Sequence, residues 1–158
     1  MKFATAAIAA LMLSACANSA LTVEQPYRGA QKFSTAMVQY DASTVGVDDE
    51  NIAYTTKKME QALFGGDTPV FSQGSGLTVR YRYVGFDEGS RFGRYLSGGL
   101  AGGSKVVLET EFVSPTGEVL ATVRGEGTVG GGLAGGSNKT GIDKAVEKVA
   151  DYAAANFK

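Results

Sequence analysis

The sequence predicts an α+β fold, a two-layer sandwich in which a mostly antiparallel sheet of about four strands has two helices on one face. Three observations support this. Residues 77–86 alternate between apolar and polar side chains, as a half-buried strand does. Residues 106–113 and 119–124 form two more β-prone runs, joined by Ser114-Pro115-Thr116-Gly117, a sequence typical of a type I turn. Apolar residues recur at helical spacing near the middle of the chain and again at its end.

The other elements follow from local signals. Residues 33–40 are apolar or β-prone at most positions and are a strand candidate. In the helix that follows, the acidic run 48–50 supplies an N-cap and first-turn charges, and Gly65-Gly66 ends it. We expect the last helix to begin at Thr140, with Asp143 three residues later as in a capping box.

Charged residues alternate with the apolar ones in two of the predicted strands. Arg80 and Arg82 point away from the core side of the first strand, and Glu109 and Glu111 point away from it in the next. If these strands are neighbours, the four residues form two cross-strand ion pairs, each contributing a few tenths of a kcal/mol.

The N-terminus has the pattern of an export signal. Lys2 precedes a short apolar run, which ends on Leu13-Ser14-Ala15-Cys16. These four residues resemble the lipobox of bacterial lipoproteins, and Cys16 is the only cysteine of the chain. The resemblance implies cleavage after Ala15 and lipid attachment to Cys16, with a membrane anchor that does not span the bilayer. The alternatives are an ordinary secretory signal or a buried core cysteine.

The predicted organisation has three parts. Residues 1–15 are a lipoprotein signal peptide, residues 16–31 a polar tether broken by Pro26 and Gly29, and residues 32–158 a single periplasmic domain. Ala17 stands where an aspartate would resemble the inner-membrane retention signal of Gram-negative lipoproteins. The expected location is therefore the periplasmic face of the outer membrane.

Composition argues against several classes of function. The formal net charge is −1, and it becomes −2 when residues 1–15 leave with Lys2, which argues against nucleic-acid binding. The chain has no histidine, which excludes catalytic triads and histidine-ligated metals. We expect no enzymatic activity, no cofactor and no metal site.

Two glycine-rich patterns resemble ligand-binding motifs. Residues 125–130 match the dinucleotide pattern G-x-G-x-x-G after a strand, but the next predicted helix begins only at Thr140, so we interpret the match as accidental. The heptapeptide Gly-Gly-Leu-Ala-Gly-Gly-Ser occurs twice, at 98–104 and 131–137, and the hairpin should place the two copies side by side. We rank three interpretations of these segments, the preferred one first: structural loops, an anion nest with Arg91 and Arg94, and close packing of helices or subunits through G-x-x-x-G.

Residues 89–157 resemble an uncharacterised family of bacterial envelope lipoproteins, the domain of unknown function 4410. The resemblance rests on Gly89-Ser90-Arg91, Arg94-Tyr95, the glycine run before a strand, Thr116-Gly117-Glu118-Val119, and a second glycine run before the final helix. The resemblance implies the class of protein and its location in the cell envelope, but it implies no activity. It also makes Arg91, Arg94 and Tyr95 the candidate ligand-binding residues.

These observations lead to three hypotheses of function. The first is a non-enzymatic outer-membrane lipoprotein whose periplasmic domain binds another envelope protein or polymer. The second is a sensor of an anionic small ligand or envelope polymer that uses Arg91, Arg94 and Tyr95. The third is a self-assembling envelope component, a homo-oligomer packed through its glycine segments.

Overall fold

The computed structural model describes residues 19–87, 104–129 and 137–158. These residues form five strands and two helices. In chain order the elements are β1 (Ser19–Gln25), β2 (Thr35–Tyr40), α1 (Asp49–Phe64), β3 (Ser72–Asp87), β4 (Ser104–Val113), β5 (Val119–Val129) and α2 (Asn138–Phe157).

The strands form one mixed sheet in the order β1-β5-β4-β3-β2. Neighbouring strands are antiparallel except β2 and β3, which are parallel. Both helices pack on the same face, where α2 covers β5 and β4 and α1 lies beside α2 and β2. The predicted α+β class and the mostly antiparallel sheet are confirmed, and the described residues hold five strands where about four were expected.

The additional strand lies inside the segment expected to be a tether. Ser19–Gln25 pairs antiparallel with β5, so the expectation of an unstructured tether is wrong for these residues. The backbone of this short run is stabilised by hydrogen bonds to β5, a partner about 100 residues later in the sequence that no local pattern identifies.

The segment after β1 is also packed against the domain. The Tyr27 N–H donates to the Tyr152 hydroxyl over 3.0 Å, and the Phe33 N–H donates to the Phe157 carbonyl over 2.9 Å. Residues 26–34 therefore pass the C-terminal end of α2 on their way from one edge of the sheet to the other.

The capping prediction for α1 is confirmed, whereas the one for α2 is wrong. Asp48 is the N-cap of α1 and accepts a hydrogen bond from the Asn51 N–H over 2.8 Å, and Gly65 ends the helix. Helix α2 begins at Asn138 after Ser137, two residues before the predicted Thr140. Asp143 instead accepts a hydrogen bond from the Tyr54 hydroxyl of α1 over 3.0 Å, so it ties the two helices together.

The predicted hairpin between β4 and β5 is confirmed. The Gly117 N–H donates to the Ser114 carbonyl over 2.9 Å, and Gly117 has a φ of +87°, a conformation that glycine adopts at little cost. Ser104 pairs with Val129 at the open end of this hairpin.

The core lies between the sheet and the helices. Phe112 of β4 stacks on Phe157 of α2 with ring centroids 4.6 Å apart, and Tyr81 and Tyr83 of β3 direct their hydroxyls to Thr56 and Thr55 of α1. Within the described ranges, neither helix is both long and apolar enough to cross a membrane.

Candidate functional site: the open face of the sheet

The sheet has one face under the helices and one that neither α1 nor α2 covers, which we call the open face. Because side chains alternate along a strand, the residues between the core positions of β3, β4 and β5 all point to the open face. The charged residues among them are Arg80, Arg82, Lys105, Glu109, Glu111, Arg124 and Glu126.

The two cross-strand ion pairs predicted from the sequence are confirmed. Arg80 is directly opposite Glu111 and Arg82 directly opposite Glu109 in the β3–β4 register. Arg80 Nη2 lies 2.6 Å from Glu111 Oε2, and Arg82 Nε donates to Glu109 Oε1 over 2.9 Å. The arginines are held by carboxylates of the neighbouring strand.

A second arginine binds the same glutamate from the other side. Arg124 of β5 donates to Glu109 Oε2 through Nε at 3.0 Å and through Nη2 at 2.7 Å. Its Nη1 also lies 3.0 Å from Glu24 of β1. Glu24, Arg124, Glu109 and Arg82 therefore form a row of alternating charge across four strands, which we call the charged row.

Glu109 is at the centre of this row and is its buried member. Its side chain is 6% exposed, whereas those of Arg82 and Arg124 are 38% and 41% exposed. Burial by itself would raise the pKa of Glu109, but hydrogen bonds from Arg124 and Arg82 outweigh it, so the pKa lies below its usual value. The same hydrogen bonds raise the pKa of each arginine. Glu109 and its two arginines are therefore ionised at neutral pH.

Neither Arg124 nor Glu24 was predicted from the sequence as a partner of these residues. Val113 pairs with Val119 next to the turn, and continuing that register would place Glu109 opposite Val123, but a register shift between Phe112 and Val113 places it opposite Arg124. Such a shift has no signature in this sequence. The sequence contains only a weak indication that Arg124 is a partner of Glu109: Arg124 lies at an open-face position of a strand already expected to pair with β4.

The other predicted site residues lie outside the described residues. These are Cys16, Arg91, Arg94 and Tyr95, together with both glycine segments except their final serines. Ser104 begins β4 and Ser137 precedes α2. Lipid attachment and the anionic-ligand site stay predictions.

The glycines of the dinucleotide-like pattern have a packing role. Gly125 and Gly127 lie in β5 and face α2, where a Cβ would overlap the carbonyl oxygens of Ala145 and Gly141. They allow helix and strand to approach closely, which agrees with the interpretation of the match as accidental.

Two other aspects of the described residues add little chemistry. An open groove of about 620 Å³ lies between residues 24–31 and 118–120, beside the β4–β5 turn. Among the described residues, no group of three or more acidic or cysteine side chains is arranged to hold a metal ion. The charged row is therefore the best-defined polar arrangement in the described part of the chain.

Comparison with known proteins shows a likeness of fold. No family model and no curated protein matches the chain. Among solved structures, the chain is similar to a PelC dodecamer from Paraburkholderia phytofirmans, with a TM-score of 0.54 and 12% identity over 89% of this chain and 99% of that chain. A variant of that PelC, also a dodecamer, gives a TM-score of 0.51 and 13% identity over 84% of this chain and 97% of that chain. The chain thus shares the fold of PelC along nearly the whole of that protein.

Proposed function

We propose that the chain is a non-enzymatic lipoprotein of the bacterial outer membrane, whose periplasmic domain assembles with copies of itself into an envelope component. The proposal joins the first and third hypotheses from the sequence. The partner of the interaction domain is then, in the first place, another copy of the same chain.

The observation that supports self-assembly is the fold. The similar PelC chains are dodecamers, and the similarity extends over 97% or more of each of them. The open face is compatible with a binding role, since its carboxylates are paired with arginine or lysine side chains. The chain also has no histidine to act as a general base at neutral pH.

Self-assembly is tested on the full chain purified in detergent. Sedimentation velocity over a wide concentration range should show a discrete species of several copies. A single monomeric species at every concentration would contradict the proposal.

The lipid anchor is tested separately by metabolic labelling with a palmitate analogue. The wild-type chain should take up the label and Cys16→Ala should lose it. Ser14→Ala is the matched control: it keeps a small residue at that lipobox position and should keep the label. Labelling that persists in Cys16→Ala would refute the anchor.

A further inference from the structure

We propose that copies of the chain join head to tail through their sheet edges, with β1 of one copy pairing antiparallel with β2 of the next. This inference rests on the proposed function, because it names the contact by which self-assembly occurs. Four properties of the two edge strands support it.

The first property is that neither edge strand carries a lysine or proline that would block pairing, although each contains one register shift. In the described part of the chain, β1 and β2 are the outermost strands, each with a partner on one side only. Natural edges are commonly blocked by lysine, proline or short strands. Strand β2 reads TAMVQY over six residues and contains no charge, proline or glycine, and β1 has Glu24 as its one charge.

The second property is exposed apolar area on both edges. Among the described residues, the large hydrophobic side chains that are exposed are Val23 of β1, at 41%, and Met37 of β2, at 46%. Val23 lies on the helix side of the sheet and Met37 on the open face, because their neighbours are Val123 and Thr78. A strand added at each edge would cover both side chains.

The third property is the direction of the free backbone groups. The Asp41 N–H donates to Tyr81 of β3, so after the register shift between Ala36 and Met37 the odd-numbered residues of β2 point inward, and Val38 and Tyr40 point outward. Val38 and Tyr40, which lie on the helix side of β2, therefore present their N–H and C=O groups to the outside. Strand β1 runs in the opposite direction along the opposite edge, so the same handedness directs the N–H and C=O groups of its helix-side residues, Leu21 and Val23, outward.

The fourth property is that these free groups match when the sheets of two copies continue into one another. In the register that aligns the strand centres, Leu21 of one copy lies opposite Val38 of the next and Ser19 opposite Tyr40. Each such pair can exchange two backbone hydrogen bonds. Thr22 then lies opposite Met37 on the open face. The antiparallel direction also keeps Glu24 of one copy at the far end of the joint from Asp41 of the next, which avoids repulsion between them.

Such a contact uses two different surfaces, so it is heterologous, and an open row of copies keeps one free edge at each end until a ring closes. Because the two surfaces differ, variants that each lose one surface can distinguish this contact from an isologous dimer. The variants Val23→Lys and Met37→Lys each place a charge on one edge only, at a position already exposed in the fold. Thr122→Lys is the control, since Thr122 lies on the open face of β5, inside the sheet.

We expect Thr122→Lys to sediment like the wild-type chain in detergent, and each edge variant alone to lose the larger species. A mixture of the two edge variants should form a species of two copies and nothing larger, because one intact β1 and one intact β2 remain. Native mass spectrometry with one variant isotopically labelled should show one copy of each. Unchanged melting temperatures would show that the variants fold.

Three outcomes would overturn the inference. If the wild-type chain is monomeric, both the sheet-edge contact and the proposed self-assembly are wrong. If the wild-type chain assembles and both edge variants assemble equally well, the sheet-edge contact alone is wrong. If only one edge variant loses assembly, the joint is formed by two identical edges.

Discussion

Glu109 is the residue at which the open face differs most from an ordinary protein surface. No helix among the described residues covers this face, yet the carboxylate is almost fully buried. It is shielded by the two arginines that bind it from the neighbouring strands. A buried carboxylate is tolerated here because both of its oxygens accept charge-assisted hydrogen bonds.

We predict that Glu109→Ala lowers the free energy of unfolding by about 2 kcal/mol, because two arginines lose their shared partner while staying close together. Glu111→Ala is the control, since that side chain is 27% exposed and pairs with one arginine. It should cost at most about 1 kcal/mol. Urea unfolding with unchanged m-values measures both, and equal losses would contradict the central role of Glu109.

The lowered pKa of Glu109 predicts how the stability depends on pH. A carboxyl group whose pKa is lower in the folded than in the unfolded chain stabilises the fold above its unfolded value, near 4.5, and loses that contribution as the pH falls through the folded value. The difference in unfolding free energy between the wild-type chain and Glu109→Gln should therefore be greatest at neutral pH and shrink below pH 4.5. A difference that stays constant over this range would exclude the linkage.

At the scale of elements, the contact between α2 and β5 is unusually close. Gly127 of β5 faces Gly141 of α2, and no side chain separates the two backbones. The glycines that resemble a nucleotide-binding pattern are thus explained by helix–sheet packing.

We predict that Gly127→Ala destabilises the domain by at least about 2 kcal/mol, because its Cβ would overlap the Gly141 carbonyl and push the helix away from the sheet. Gly46→Ala is the control: its Cβ would meet nothing within 4 Å. Thermal melting of the two variants should separate them clearly. Similar melting temperatures would show that α2 can shift without loss.

The elements that sequence analysis predicted are those with a local signal. Neighbouring residues determine the alternation in β3, the turn at Gly117 and the acidic N-cap of α1, so these features could be predicted. Strand β1 was missed because its pairing depends on β5, far along the chain. The partners of Glu109 were half predicted: Arg82 follows from simple alternation, whereas Arg124 depends on a register shift that arises only in the folded hairpin.

At the scale of the whole molecule, the fold class followed from the order of strands and helices, but the contacts that would bind a partner did not. A strand is an edge strand when no other strand pairs with its outer side. This is known only once the order of all the strands is known. The resemblance to the envelope lipoprotein family concerns class and location, and no family model matches the chain. It stays a prediction.

The predicted location can be changed by one residue. Ala17→Asp places an aspartate directly after Cys16, where it would resemble the inner-membrane retention signal. We expect the wild-type chain in the outer-membrane fraction of a sucrose gradient and Ala17→Asp in the inner-membrane fraction. Ala17→Ser is the control and should stay with the outer membrane. Co-sedimentation of wild type and Ala17→Asp would contradict this sorting rule for the chain.

The early start of β1 limits how far the domain can stand from the bilayer. Only three peptide steps separate Cys16 from Ser19, so a lipid on Cys16 would hold the sheet edge within about 10 Å of the headgroups, whereas a tether over residues 16–31 would reach about 50 Å. Copies confined to so thin a layer collide far more often than the same number of molecules spread through the periplasm. A weak edge contact could then suffice on the membrane surface although it dissociates in dilute solution.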